Sequence, residues 1–164
     1  MKALLDSLPQ TGRVEWIGLR PAKRADLNVV PEVEVTTKEG LVGDRYGGRS
    51  GNRQVTLIQA EHLEVVAKLL NIKRAEPSLA RRNIIVSGIN LLAFSKRQFQ
   101  IGESVILEMT GICHPCSRME ENYGPGGYNA MRGHSGINAR VIQGGRIRVG
   151  DAVNLLPQTT VLED

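Results

Sequence analysis

The sequence predicts a mainly β fold, namely a closed or nearly closed β-barrel decorated by a few short helices. Many short segments alternate apolar and polar residues, and several are separated by glycine-containing turns. Only one long segment has the period of an amphipathic helix. This pattern does not fit alternating strand–helix–strand units, which would form a parallel sheet.

The predicted strands and helices follow from periodicity and turn residues. The strands span residues 13–20, 32–37, 54–59, 83–88, 98–102, 104–110, 137–142, 145–149 and 152–156. The long helix, 60–70, places Leu63, Val66 and Leu70 on one face and Lys68 near its end, as the helix dipole prefers. Short helical turns are expected at 76–82, 117–122 and 128–132.

Size and composition predict one domain. The chain has 164 residues, and we expect a leader at 1–11, a single barrel domain at 12–157 and a tail at 158–164. The net charge of +4 suits an anionic small ligand, whereas an aromatic content of 4% argues against a nucleic-acid partner. No apolar run is long enough to cross a bilayer, so no membrane partner is expected. Two cysteines without a visible secretory signal predict a cytoplasmic location.

The segment 111–120 holds both cysteines of the chain, Cys113 and Cys116, together with His114. Pro115 fixes its own φ and has no N–H, so the thiols are expected at the mouth of a turn. Nearby positive charge favours the reactive thiolate form of a cysteine. The alternatives are a pair of buried small hydrophobic residues and a structural zinc site completed by His114 or His134. A thioredoxin-type motif is disfavoured because it needs a strand–helix–strand context.

A glycine-rich basic segment, 40–53, is the second candidate site. It contains Arg45, Arg49 and Arg53 beside a single acidic residue, Asp44. Glycines let backbone N–H groups approach an anion, and arginines bind phosphate through a planar fork. The alternative is a surface loop whose charges are solvated.

Taken together, five ordered motifs resemble the MOSC family, the domain found at the C-terminus of molybdenum cofactor sulfurases and in small bacterial stand-alone proteins. They are Gly40-Leu-Val-Gly-Asp44, Tyr46-Gly-Gly48 with Arg53, Arg81-Arg-Asn-Ile84, Cys113-His-Pro-Cys116 and Val149-Gly-Asp151. Tyr46 stands where the family usually has histidine. The resemblance covers residues 12–157.

The resemblance implies a bound molybdenum cofactor (molybdopterin), with Cys116 as molybdenum ligand or as a carrier of sulfur in persulfide form. Cys113 matches only those members that have two such cysteines, and it is a second candidate metal ligand. The resemblance implies contacts to the pterin from Arg53, Arg81 and Asn83. The other expected cofactor-binding residues follow from their positive charge near the glycine-rich segment or the cysteines, and they are Arg45, Arg49, Arg118 and Arg132.

The function implied is therefore reduction of N-hydroxylated substrates or sulfur transfer. Either activity needs a partner, an electron-donor protein in the first case and a sulfur-donor protein in the second. A soft thiolate suits both a high-valent molybdenum and a sulfane sulfur atom. The alternative function is that of a small zinc-binding or non-catalytic anion-binding β-barrel module.

Overall fold

A computed structural model describes residues 1–46, 48 and 50–158. In these residues the strands are β1 (Gly12–Leu19), β2 (Asn28–Val29), β3 (Glu32–Thr36), β4 (Gly40–Leu41), β5 (Val55–Gln59), β6 (Ile84–Ser87), β7 (Gln98–Ile101), β8 (Val105–Ile112), β9 (Ile137–Gln143), β10 (Gly145–Arg148) and β11 (Ala152–Leu155). The α-helices are α1 (Lys2–Leu5), α2 (Ala60–Leu69), α3 (Ser117–Tyr123) and α4 (Gly127–Met131), and 3-10 helices cover Pro77–Ala80 and Leu91–Phe94. No helix in the described ranges is long and apolar enough to cross a membrane.

Seven strands form a closed barrel, which confirms the predicted fold class. The hydrogen-bonded order is β11-β7-β8-β9-β5-β6-β1, and β1 pairs again with β11 through Gly12 and Arg13. Every pair in the ring is antiparallel except β5 with β6. A separate three-stranded sheet has the order β10-β3-β4.

The alternating strand pattern explains the two faces of the barrel wall. Inward-facing residues such as Val14, Leu57 and Leu107 are completely buried in the main core. On the outer face of β5 and β6, Ile58 and Ile85 pack against the helices in a second apolar cluster. This cluster includes Met119 of α3, so it fixes the helix that directly follows Cys116.

Four short elements were not predicted. One is the 3-10 helix Leu91–Phe94, which lies between the strands predicted at 83–88 and 98–102. Helix α1 lies in the predicted leader, β2 in the predicted loop 21–31, and β4 at the start of the glycine-rich segment. Each strand has only two residues, and its hydrogen-bonding partner stabilises it more than its own side-chain pattern does.

Residues near the start of the chain and near the end of its described part contact the barrel. In the leader, Asp6 forms an ion pair with Arg97 at 3.0 Å, and Leu8 packs against the core. The second Nη atom of Arg97 donates to the carbonyl of Leu156 at 3.0 Å. Of the tail predicted at 158–164, only Gln158 belongs to the described residues.

Candidate functional site

A cationic cleft of about 360 Å³ is lined by residues that follow β1 and precede β6, together with residues of other segments. Of the seven described residues that line it, six are basic, and they come from four separate parts of the chain. The lining residues are Arg20, Ala22, Lys23, Arg24, Arg45, Arg81 and Arg118. This arrangement attracts an anion with several oxygen atoms, because guanidinium groups bind such anions through paired N–H donors.

The buried carboxylate of Asp44 fixes the orientation of Arg20, one of the residues that line the cleft. The Asp44 carboxylate accepts from Nε and Nη2 of Arg20 at 3.1 and 3.0 Å, and from the backbone N–H of Arg20 at 2.7 Å. Only 1% of the Asp44 side chain is exposed, whereas 24% of the Arg20 side chain is. The backbone N–H of Arg45 donates to the carbonyl of Arg20 at 2.7 Å, which brings two of the cleft arginines together.

Asn83, which is buried in the barrel wall, also donates a hydrogen bond to the Asp44 carboxylate. Its Oδ1 accepts from the N–H and the hydroxyl of Thr56, both at 3.1 Å. Its Nδ2 donates to the carbonyl of Gly18 and to Asp44 at 3.1 and 3.0 Å. The amide of Asn83 is therefore fully occupied within the protein, and the residue is completely buried.

Arg81 lies where the cations crowd one another. Its pKa is lowered from the ordinary value, first by burial and then by the positive charges of Arg118 and Arg20, while Asp26 and Cys116 act in the opposite direction. Cys116 directly precedes α3, whose Arg118 lines the cleft, so the backbone of Cys116 lies next to these guanidinium groups. A bound anion would relieve the repulsion between the guanidinium groups.

Arg118 offers unused hydrogen-bonding capacity. It lies in the first turn of α3, two residues after Cys116. Its Nε is buried and has no hydrogen-bond partner among the described residues. A buried donor without an acceptor is unfavourable, so an acceptor entering the cleft would be stabilised there.

The backbone of Arg81 is in the left-handed region, with φ 56° and ψ 29°. A side chain disfavours this conformation by about 1 kcal/mol relative to glycine. We therefore expect Arg81→Gly to be about 1 kcal/mol more stable than Arg81→Ala, although both lose the hydrogen bond to the carbonyl of Ala25. Urea unfolding of the two variants checks this, and equal stabilities would contradict it.

The Cys loop, residues 113–116, lies beside the cleft and is anchored along its length. The N–H of Cys113 donates to the carbonyl of Gly136 at 2.9 Å, and the carbonyl of Cys116 accepts from Met119 at 2.9 Å. Between them, the buried Arg82 donates to the carbonyl of His114 at 3.3 Å. Both thiols are free, with Cys116 exposed and Cys113 half-buried.

The structure brings together some of the residues predicted for the site. Arg45, Arg81 and Arg118 line the cleft, next to the loop that carries Cys116. Arg53 and Arg132 are exposed and do not belong to the lining found among the described residues. Arg49 lies outside the described residues.

Sequence reasoning missed three residues that line the cleft, namely Arg20, Lys23 and Arg24. They fall within the short segment 20–24, whose density of cations around Pro21 is the signal that could have identified them. Arg24 also lies near α3, with its Nη1 3.8 Å from a carboxylate oxygen of Glu121.

The zinc alternative finds no support in the part of the chain that the structure describes. Within 1–46, 48 and 50–158 there is no group of three or more His, Cys, Asp or Glu residues able to hold a metal ion. His134 instead lies against His62 of α2, with ring centroids 5.4 Å apart, and its Nδ1 is 3.1 Å from the carbonyl of Ala130.

This histidine pair makes stability depend on pH. Burial, and then the charge of His134, lower the pKa of His62 below its ordinary value of 6.5, against the opposite effect of Glu61. The unfolded chain therefore binds the proton more readily, so stability is lost as the pH falls below about 6.5. We expect His62→Gln to show a smaller loss of unfolding free energy between pH 7 and 5 than the unaltered protein. Parallel curves, measured by urea unfolding at each pH, would contradict this expectation.

The fold and site define a small β-barrel protein with a cationic cleft beside an exposed cysteine. Residues 37–154 match the model of the MOSC domain, so the chain belongs to the MOSC domain family. No curated protein sequence matches the chain significantly.

Several solved structures share the fold of this chain. The YuaD protein from Bacillus subtilis has a TM-score of 0.75 at 17% identity, covering 90% of this chain and 97% of that one. YiiM from Geobacillus stearothermophilus has a TM-score of 0.73 at 17% identity, covering 92% and 77%. YiiM from Escherichia coli has a TM-score of 0.67 at 18% identity, covering 90% and 71%.

Proposed function

We propose that the protein binds the molybdenum cofactor, an anionic pterin with a terminal phosphate, in the cationic cleft, with Cys116 as the protein sulfur at its reactive end. One observation carries the proposal: six basic side chains of the described residues line a cleft, and one of them, Arg118, lies two residues after the exposed Cys116. The MOSC family is generally linked to this cofactor, which agrees with the chemistry of the residues.

The donor set fits such a ligand. Arg81 and Arg118 have no carboxylate within 4.0 Å among the described residues, so their charge is available to a phosphate. Arg20, held by Asp44, supplies a third guanidinium whose direction is set before the ligand arrives. The unpartnered Nε of Arg118 supplies one more donor.

The proposal gives Cys116 two alternative roles, and analysis of the bound molybdenum and sulfur distinguishes them. As a soft thiolate it would ligate molybdenum, and the bound metal would supply two-electron oxygen-transfer chemistry for the reduction of N-hydroxylated compounds. As a nucleophile it would accept sulfane sulfur and carry it as a persulfide. Its exposure lets an electron-donor or sulfur-donor protein reach it, and the two free thiols suit a cytoplasmic location.

The test is anaerobic purification from a host that makes the cofactor, followed by molybdenum and pterin analysis. We expect near-stoichiometric pterin in the unaltered protein. Cys116→Ser should lose molybdenum or bound sulfur while keeping its phosphate affinity. Arg13→Ala is the control, because it removes one exposed arginine of β1 that does not line the cleft. We expect it to retain the pterin and the phosphate affinity of the unaltered protein.

Two results would count against the proposal. If the unaltered protein carries no pterin and Cys116→Ser behaves like it in every assay, the molybdenum cofactor function is wrong. Phosphate binding without either pterin or bound sulfur would favour a non-catalytic anion-binding module instead.

A further inference from the structure

We propose that Cys113 is the resolving thiol of Cys116, releasing sulfur from a Cys116 persulfide as hydrosulfide and leaving a Cys113–Cys116 disulfide. The inference rests on the sulfur-carrier form of the proposed function and assigns the second cysteine a role in it. The product class is hydrosulfide, and the sulfur enters from a sulfane-sulfur donor.

The two thiols differ in the way that such a division of roles needs. Cys116 is exposed and can meet a sulfur donor, whereas Cys113 is half-buried on the same loop. Reactive cysteines that are accessible often have a resolving cysteine beside them. Because only two residues separate the thiols, closing a ring between them loses little chain entropy.

The surrounding contacts keep both cysteines on one rigid support. The backbone is hydrogen-bonded at Cys113 to Gly136 and at Cys116 to Met119. Arg82, which also donates to the carbonyl of Ser135 at 2.9 Å, holds the middle of the loop through His114. These contacts hold the backbone on both sides of Pro115, so both thiols belong to one hydrogen-bonded loop.

The sulfur, electrons and protons balance in two steps. The Cys116 thiolate first attacks a sulfane sulfur at the end of inorganic polysulfide, forming the Sγ–S bond of a persulfide. The S–S bond next to that sulfur breaks, and the polysulfide, one sulfur atom shorter, leaves with the electron pair. The Cys113 thiolate then attacks Sγ of Cys116, forming the Sγ–Sγ bond. The bond from Sγ of Cys116 to the sulfane sulfur breaks, and that sulfur leaves with the electron pair as hydrosulfide.

The cleft favours the second step and a reductant completes the cycle. The positive charge of Arg118, two residues after Cys116 and part of the cleft lining, stabilises the negative charge that develops on the leaving sulfur. A dithiol reductant then returns two electrons and two protons to the disulfide and is itself oxidised to a disulfide.

The experiment loads the reduced full-length protein with inorganic polysulfide, removes the excess and follows released sulfide together with the intact mass. The unaltered protein should release one sulfide per chain and lose the mass of two hydrogen atoms. Cys113→Ser should retain the mass of one added sulfur and release sulfide at least about tenfold more slowly. Ser117→Ala keeps both thiols and is the matched control, expected to behave like the unaltered protein.

The outcomes separate this inference from the function on which it rests. If Cys113→Ser discharges at the unaltered rate while Cys116→Ser takes up no sulfur, the resolving role is overturned and the carrier function stands. If Cys116→Ser is loaded as readily as the unaltered protein, the carrier function itself is overturned. If Cys113→Ser does not fold, Cys113→Ala and peptide mapping of the unaltered protein decide, and absence of the Cys113–Cys116 disulfide after discharge overturns the inference.

Discussion

Replacing Arg118 with alanine is expected to weaken phosphate binding by about tenfold to a hundredfold with little loss of stability. Hydrogen bonds to charged groups contribute about 1.5–3 kcal/mol each, which corresponds to that range. The fold should tolerate the change, because the Nε of Arg118 has no acceptor in the described part of the chain and its charge repels Arg81. Calorimetric titration with inorganic phosphate at low salt measures the affinity, and thermal unfolding measures the stability.

Arg118→Lys tests whether the shape of the cation matters as well as its charge. Lysine keeps the positive charge but presents a point donor in place of a planar fork, so we expect an affinity between those of the unaltered protein and Arg118→Ala. Arg13→Ala again serves as the control for a change in net charge. If Arg13→Ala weakened binding as much as Arg118→Ala, the cleft would not be the site.

The strands of the barrel could be predicted because the residue pattern that forms each strand lies within a short stretch of sequence. Strands such as β3 and β7 alternate buried and partly or fully exposed residues, and this period is visible in the sequence. Closure of the ring could not be predicted in the same way. It depends on pairing Gly12 with Val153 across almost the whole chain, and no local pattern encodes that register.

The site shows the same limit at the level of single residues. The three consecutive residues Arg81, Arg82 and Asn83 all belong to one recognisable motif, but their side chains have different partners. Arg81 lines the cleft, Arg82 holds the Cys loop, and Asn83 bonds Asp44 and Thr56 inside the wall. A motif therefore locates a site along the chain, whereas the backbone conformation decides which side chain reaches the ligand. Here the left-handed backbone of Arg81 sets it apart from its neighbours.

The electrostatic balance of the cleft explains why a nearly buried acid matters there. Crowded guanidinium groups repel one another, and Asp44 is the carboxylate that neutralises the one nearest the barrel wall. Its oxygens accept three hydrogen bonds from Arg20 and one from Asn83, so the same residue joins the cleft to the wall. Asp44 thus organises the site although it does not itself need to contact the ligand.

Asp44→Ala is therefore expected to lower the free energy of unfolding by about 3 kcal/mol, near the lower end for a broken buried ion pair because Arg20 stays partly exposed. Asp44→Asn, which keeps one acceptor oxygen without the charge, should fall between the unaltered protein and Asp44→Ala. The matched control is Glu121→Ala, because Glu121 faces the cleft residue Arg24 at 3.8 Å with both side chains more than half exposed. Such an exposed pair contributes less than about 1 kcal/mol. Urea unfolding at neutral pH measures all three variants, and equal losses for Asp44→Ala and Glu121→Ala would show that the Asp44 pair does not organise the cleft.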